Sequence, residues 1–207
     1  MTQELSFIHR FEQGTSTAAP LLLLHGTGGN ENDLLSLGRS LAPERSLLSP
    51  RGKVLENGMP RFFRRLAEGV FDEHDVIKRA HELADFIVAA GETYKLPKPV
   101  AVGFSNGANI AAAILLLRPD ILSGAILLRA MVPLAKPPQA DLAQKPVLII
   151  SGAIDPIIPA SDANLLATML REAHADVQHE TLPSGHNLTQ NDEIGRASCR
   201  ERVYVLV

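Results

Sequence analysis

The chain's folding options are narrowed most by Gly103-Phe104-Ser105-Asn106-Gly107, set between the apolar run Val100-Ala101-Val102 and an alanine-rich segment beginning at Ala108. A strand that ends, turns sharply and becomes a helix leaves a serine hydroxyl projecting from the turn. Glycines two before and two after the serine suit so tight a reversal, because side chains there would collide across it. Three fixed positions of this kind arise by chance in roughly 0.07 chains of this length, and most such hits are plain turns. The pentapeptide alone therefore does not decide the chemistry; its partners must come from elsewhere in the chain.

The flanking pattern is that of an α/β domain. Apolar runs at 20–24, 124–128 and 147–150 have the continuous character of strands buried on both faces of a parallel sheet, as does the strand after Pro99 that leads into the turn. Residues 5–11 read as a further strand, 46–49 as a short one stopped by Pro50, and 177–181 as a last, more polar one. Helices fall between them. Asn30 or Asn32 is placed to cap one whose apolar face is Leu34, Leu35, Leu37 and Leu41. Apolar residues at 76, 77, 80, 83, 84, 87 and 88 predict an amphipathic helix over 74–90, and 106–117 is apolar nearly all round, as a buried helix is. Ser161 opens another, with Leu165, Leu166, Met169 and Leu170 inward. Residues 50–73 read as a long irregular stretch, and such stretches in compact domains are usually functional. Alternating strands and helices specify a mostly parallel central sheet flanked by helices. At 207 residues and 45% hydrophobic content, one domain is expected.

Composition removes several function classes. Twenty basic and 23 acidic residues are intermixed for a net charge of −3, which indicates neither a nucleic-acid surface nor a membrane surface. No run approaches the roughly 18 apolar residues of a membrane span. Met1 to Phe7 lacks the apolar core of a secretory signal, and Cys199 is the single cysteine, so the cytoplasm is the expected compartment. There is no His-Glu-x-x-His pattern or cysteine-histidine cluster for a metal. Gly26 to Gly29 lacks both the dinucleotide fingerprint and the P-loop ending. No cofactor is expected, and the expected partners are a small molecule and, at most, a second copy of the chain as a homodimer.

A serine hydroxyl attacks a carbonyl only when a neighbouring base takes its proton. Seven histidines compete. His74, His81 and His174 fall on predicted helices, His9 and His179 on strands, and His25 in a turn where a structural role fits better. His186 differs: Ser184-Gly185-His186-Asn187 is a loop directly after the last strand, at the carboxyl edge of the sheet. The carboxylate that orients such a base is assigned to Asp155, in the loop after the strand at 147–151. Asp162 fits the first turn of a helix instead, and Asp176 merely begins a strand. Ser105, Asp155, His186 is the nucleophile, acid, base order of α/β-hydrolases. Two N–H donors are then needed for the oxyanion. Asn106, at the start of the helix after the serine, supplies one; Thr27, with Gly26 as second choice, supplies the other from the turn after the second strand.

His25-Gly-Thr-Gly-Gly-Asn30, Gly103-Phe-Ser-Asn-Gly107, Ser151-Gly-x-x-Asp155-Pro-x-x-Pro159 and Gly185-His186 resemble the phospholipase/carboxylesterase branch of the α/β-hydrolases, which includes acyl-protein thioesterases. Adding Leu48-Ser-Pro-Arg-Gly52 and Asn57-Gly-Met-Pro-Arg-Phe-Phe-Arg64, the chain is similar to small bacterial carboxylesterases associated with hydroquinone or dienelactone metabolism. The resemblance spans residues 20–192 and implies an α/β-hydrolase fold and a serine esterase mechanism. Thioesterases of the branch typically carry Gln after the nucleophile and Leu in the oxyanion turn, where this chain has Asn106 and Thr27, which weakens a transfer of long-acyl specificity. Dienelactone hydrolases use a cysteine nucleophile, and the serine at 105 argues against that assignment.

The short link between the strands at 124–128 and 147–151 leaves little or no lid, which favours short acyl or aryl esters. Phe62, Phe63 and Met131 are read as pocket-lining, against ordinary core packing, and Arg61, Arg64 and Arg65 as an arginine cluster able to bind a substrate carboxylate. The alternatives to an esterase are a thioesterase or lysophospholipase, and a non-catalytic binding protein on the same fold. Ile194-Gly-Arg-Ala-Ser-Cys-Arg-Glu-Arg-Val203 back-translates in one frame to a common sequencing adapter, so residues 194–207 are read as a non-native tail on a domain spanning 1–193, rather than as a genuine terminal helix. Deleting residues 194–207 should leave expression, the thermal midpoint and ester turnover unchanged. A large loss in any of the three shows that the tail is part of the domain.

Overall fold

The apolar runs do become the buried strands. In the computed structural model, which describes residues 5–188, the chain runs through β1 (His9–Glu12), β2 (Leu21–Leu24), α1 (Leu35–Leu41), β3 (Leu47–Pro50), β4 (Val54–Glu56), β5 (Met59–Arg61), β6 (Arg65–Ala67) and β7 (Val70–Phe71). It continues through α2 (Glu73–Tyr94), β8 (Val100–Phe104), α3 (Asn106–Leu117), β9 (Gly124–Leu128), β10 (Pro146–Gly152), α4 (Ala160–Glu172) and β11 (Asp176–Leu182). Seven strands form one sheet in the order β1-β3-β2-β8-β9-β10-β11. β1 pairs antiparallel to β3, and every other pairing in that sheet is parallel.

Side chains of successive strand residues point to opposite faces, and two apolar layers follow from this. Leu22, Leu24, Ala101, Ala125, Leu127, Val147 and Ile149 join the layer containing α2, α3 and α4; Leu21, Leu23, Val100, Val102, Ile126, Leu128, Leu148 and Ile150 join the layer containing α1. α3 is buried along nearly its whole length. Parallel pairing brings the carboxyl ends of β2, β8, β9, β10 and β11 to one edge. β2 and β8 are neighbours in register, Leu24 opposite Gly103, and the chain leaves them for strands on opposite sides, which makes a crevice at that edge.

Boundaries differ from the sequence reading where capping decides them. α2 begins at Glu73 because the Asp72 side chain accepts the Asp75 N–H, and it runs past Ala90 to a left-handed Lys95. The Asn30 side chain accepts the Asn32 N–H in a local turn, and α1 starts later, at Leu35, with no side-chain cap. α4 likewise starts at Ala160 without one. The stretch 50–73 is not irregular: β4 pairs with β5 and β6 with β7 as two antiparallel hairpins. Asn57 and Gly58, both at positive φ, form the two-residue turn of the first. Among the described residues, no helix is long and apolar enough to cross a membrane.

The closest approach of helix to sheet lies at the turn after β8. A Cβ on Gly107 would sit 2.0 Å from the Leu24 carbonyl oxygen, whereas one on Gly58 would meet nothing within 4 Å. Gly107→Ala should therefore cost about 3 kcal/mol or more in chemical denaturation, and Gly58→Ala only the roughly 1 kcal/mol of a left-handed alanine. Comparable losses for the two would show that the helix shifts to accommodate a methyl group.

Candidate active site

Ser105 joins β8 to α3 with φ 50° and ψ −112°, a backbone conformation that a residue with a side chain adopts at a cost of about 1–3 kcal/mol. Its surroundings impose it. The Ser105 N–H donates to the Leu128 carbonyl at 2.8 Å, and its own carbonyl accepts the Asn109 N–H at 3.0 Å. A Cβ on Gly103 would lie 2.5 Å from the Gly107 carbonyl oxygen, so the two glycines of the pentapeptide close on each other as the sequence requires.

The structure brings Ser105, His186 and Asp155 together from three different strand ends. His186 Nε2 is 3.0 Å from Ser105 Oγ, and His186 Nδ1 is 2.9 Å from Asp155 Oδ2. With Nδ1–H donating to Asp155, Nε2 is the acceptor for the serine hydroxyl. The other oxygen of Asp155 accepts the N–H groups of Ile157 and Ile158 at 2.8 and 3.0 Å. Burial pushes the Asp155 carboxyl up, but the His186 hydrogen bond and these two N–H groups outweigh it, and its pKa lies below the ordinary value. It is a fixed anion beside the imidazole. The Phe104 ring flanks that imidazole at 5.5 Å.

Four of the remaining histidines have other partners, and His74 and His81 lie on α2. His25 Nδ1–H donates to the Gly26 carbonyl at 2.6 Å, and its Nε2 accepts the Gly52 N–H at 3.0 Å. His9 bonds the Phe7 carbonyl and the Tyr94 hydroxyl, His179 bonds Ser151, and His174 faces Asp141. Asp162 lies in the first turn of α4, and Asp176 begins β11 opposite Pro146.

Comparison with known proteins gives the family and the fold. The phospholipase/carboxylesterase family model matches residues 10–198. The chain belongs to that family. It has the α/β-hydrolase fold and is a carboxylic ester hydrolase. It is 50% identical over 186 residues to MhqD of Bacillus subtilis strain 168, which is named a hydrolase, covering 89% of this chain and 92% of that one. The carboxylesterase of Bacillus cereus superposes with a TM-score of 0.91 at 46% identity, over 96% of this chain and 95% of that one. The carboxylesterase of Mesorhizobium loti does so with 0.86 at 32% identity, over 92% and 90%.

In this family member a cavity of about 40 Å³ opens on Ser105, with Thr27, Asn106 and Met131 in its wall. β5 and the residues after it stitch that wall together. Arg61 Nη1 donates to Thr27 Oγ1 at 2.6 Å, the Gly28 N–H to the Pro60 carbonyl at 2.9 Å, and the Phe62 N–H to Asn106 Oδ1 at 2.7 Å. The last bond fixes which way round the Asn106 carboxamide sits. Met131 is held by its N–H, which donates to Asn109 Oδ1 at 2.8 Å.

Three pocket expectations are corrected. Phe62 and Phe63 do not line the cavity: both are buried in the core, Phe62 against the His25 ring and Phe63 edge-on to Phe71. Arg64 projects to the surface and pairs with Asp72. Its neighbours Arg61 and Arg65 are the arginines in the cavity wall, sharing Glu56 at 3.3 and 2.7 Å. Sequence reading missed Glu56, Asn109 and Arg129. Arg129 alone left a signal, as a charge embedded in the apolar run from Ala125 to Val132. Residues 194–207 lie outside the described residues.

His25 ties the turn after β2 to the segment after β3. Burial holds its pKa below the ordinary 6.5, against the opposing pull of the Gly26 carbonyl. The unfolded chain therefore takes up the proton more readily, so this contribution to stability is complete above about pH 6.5 and is lost as pH falls below it. Denaturation midpoints measured from about pH 7.5 down to 5 should decline, and His25→Gln should flatten the decline. An unchanged slope in the variant would assign the loss to other groups.

Proposed function

We propose that this protein is a serine carboxylesterase acting on short acyl or aryl esters through a Ser105-His186-Asp155 triad and an acyl-enzyme. The observation that carries this reading is the unbroken line of contacts from Ser105 Oγ to His186 Nε2 at 3.0 Å and from His186 Nδ1 to Asp155 at 2.9 Å. Ser105 Oγ attacks the ester carbonyl as His186 takes its proton, and the Asp155 anion balances the imidazolium that forms. The oxyanion is held by the backbone N–H groups of Thr27 and Asn106. Asn106 stands at the first position of α3, where N–H groups have no intrahelical partner and the helix dipole is positive. His186 returns the proton to the leaving alcohol, and the same steps with water release the acid.

The small cavity and the absence of helix or strand over residues 129–145 support a preference for short acyl groups. Ser105→Ala should lower kcat on p-nitrophenyl acetate by at least about 10⁴-fold while leaving the thermal midpoint in place, and a fluorophosphonate should label the wild type alone. Retained turnover in that variant would sink the mechanism. An unlabelled wild type would favour a non-catalytic binding protein. Across p-nitrophenyl esters from acetyl to palmitoyl, kcat/KM should fall with chain length; a rise would point to a thioesterase or lysophospholipase.

A further inference from the structure

We infer that Arg129 is the residue that sets His186 in position against Ser105, an inference that rests on the esterase reading above. Arg129 directly follows β9 and is 1% exposed. Its φ of 55° lies in the left-handed region, where glycine is the usual occupant. A glycine would make the turn with less strain but would bring no guanidinium, and strain of this kind concentrates at functional sites.

Two of the guanidinium's bonds go to the loop that carries the base. Nε donates to the Gly185 carbonyl at 2.8 Å and Nη2 to Ser184 Oγ at 2.9 Å; Nη1 reaches the Ile150 carbonyl at 3.3 Å. Gly185 is the residue immediately before His186. The residue before Arg129, Leu128, reaches Ser105 through its backbone. The Leu128–Arg129 peptide accepts the Ser105 N–H on the Leu128 carbonyl at 2.8 Å and donates the Arg129 N–H to Ile150 at 2.9 Å. Two adjacent residues are thus bonded, Leu128 to the backbone of Ser105 and Arg129 to the loop of His186.

The planar fork fixes its acceptors relative to one another, and a flexible ammonium does not. The loop's other ties come from the β10 side, where the Ile154 N–H donates to the Ser184 carbonyl at 3.2 Å and Gly152 packs so closely that a Cβ there would lie 2.5 Å from that oxygen. Those contacts hold the loop to β10, and the bonds of Arg129 register it on the β8–β9 side, where Ser105 stands. Arg129 is a positioning residue: it touches no reacting atom, and it acts through the geometry between His186 Nε2 and Ser105 Oγ.

The test is a double-mutant cycle on p-nitrophenyl acetate. Arg129→Gln should lower kcat by about 10- to 100-fold, the scale of an ångström's misplacement, with KM changed by less than about threefold. In a His186→Ala background the same change should lower the slow residual kcat by no more than about twofold, because residues acting as a unit are not additive. Should Arg129→Gln fail to fold, Ser184→Ala removes one acceptor alone and should show the same pattern at about three- to tenfold. Unchanged kcat, or equal losses with and without His186, overturns the inference. If His186→Ala keeps full activity, the triad reading falls and this inference with it; if His186→Ala is inactive while Arg129→Gln is not, only the inference falls.

Discussion

The site depends on how closely α3 is allowed to approach β2. With no side chain at 107, the first turn of α3 settles against the Leu24 carbonyl, and the neighbouring Gly103 admits the carbonyl of Gly107 in turn. That double contact leaves Ser105 one way to pass from strand to helix, and the hydroxyl is pushed out at the sheet's edge. It also sets the helix terminus beside the turn that follows β2, so Thr27 and Asn106 border the cavity that opens on Ser105. The placing of all three residues follows from one steric condition.

The hairpins between β3 and α2 make a second layer of support. Ion pairs brace them: Glu56 is shared by Arg61 and Arg65, and just before the first hairpin Arg51 is paired with Glu31. Burial lowers the pKa of Arg61, yet its partners satisfy the guanidinium, with Thr27 on one side and the Phe63 carbonyl on another. Removing one member of such a group leaves the others desolvated and unpaired, which costs more than the pair contributes. The cavity wall combines Arg61 and Arg65 with apolar side chains such as Phe71, Met131, Ile157 and Ile158.

Much of this was legible in the sequence because the edge of a parallel sheet is a topological fact. Continuous apolar runs locate the strands, and residues just after them, Ser105, Asp155, His186 and Thr27, fall on a common edge without knowledge of any contact. The hairpins were not legible from apolar pattern, since strands of two or three residues are too short to show a period; Asn57-Gly58 was the available signal. Phe62 and Phe63 were read outward and Arg64 toward the cavity because aromatic residues and arginines near a site suggest ligand contact. Where the chain turns out of β5 reverses that assignment, sending the rings into the core and Arg64 to solvent. Arg129 showed in the sequence only as a charge within an apolar run, and neither its left-handed backbone angle nor its bonds to Ser184 and Gly185 are encoded in a residue pattern.

The pairing of Leu24 with Gly103 also bears on how the molecule comes into being. Parallel neighbours so far apart in the chain close a large loop before any contact repays its entropy, and such contacts form late. During synthesis the turn after β2 leaves the ribosome long before its partner strand exists, and the imidazole's loop follows later still. Secondary structure can therefore accumulate while the chain remains inert, and the last part of the site arrives with β11, the edge strand that precedes the His186 loop.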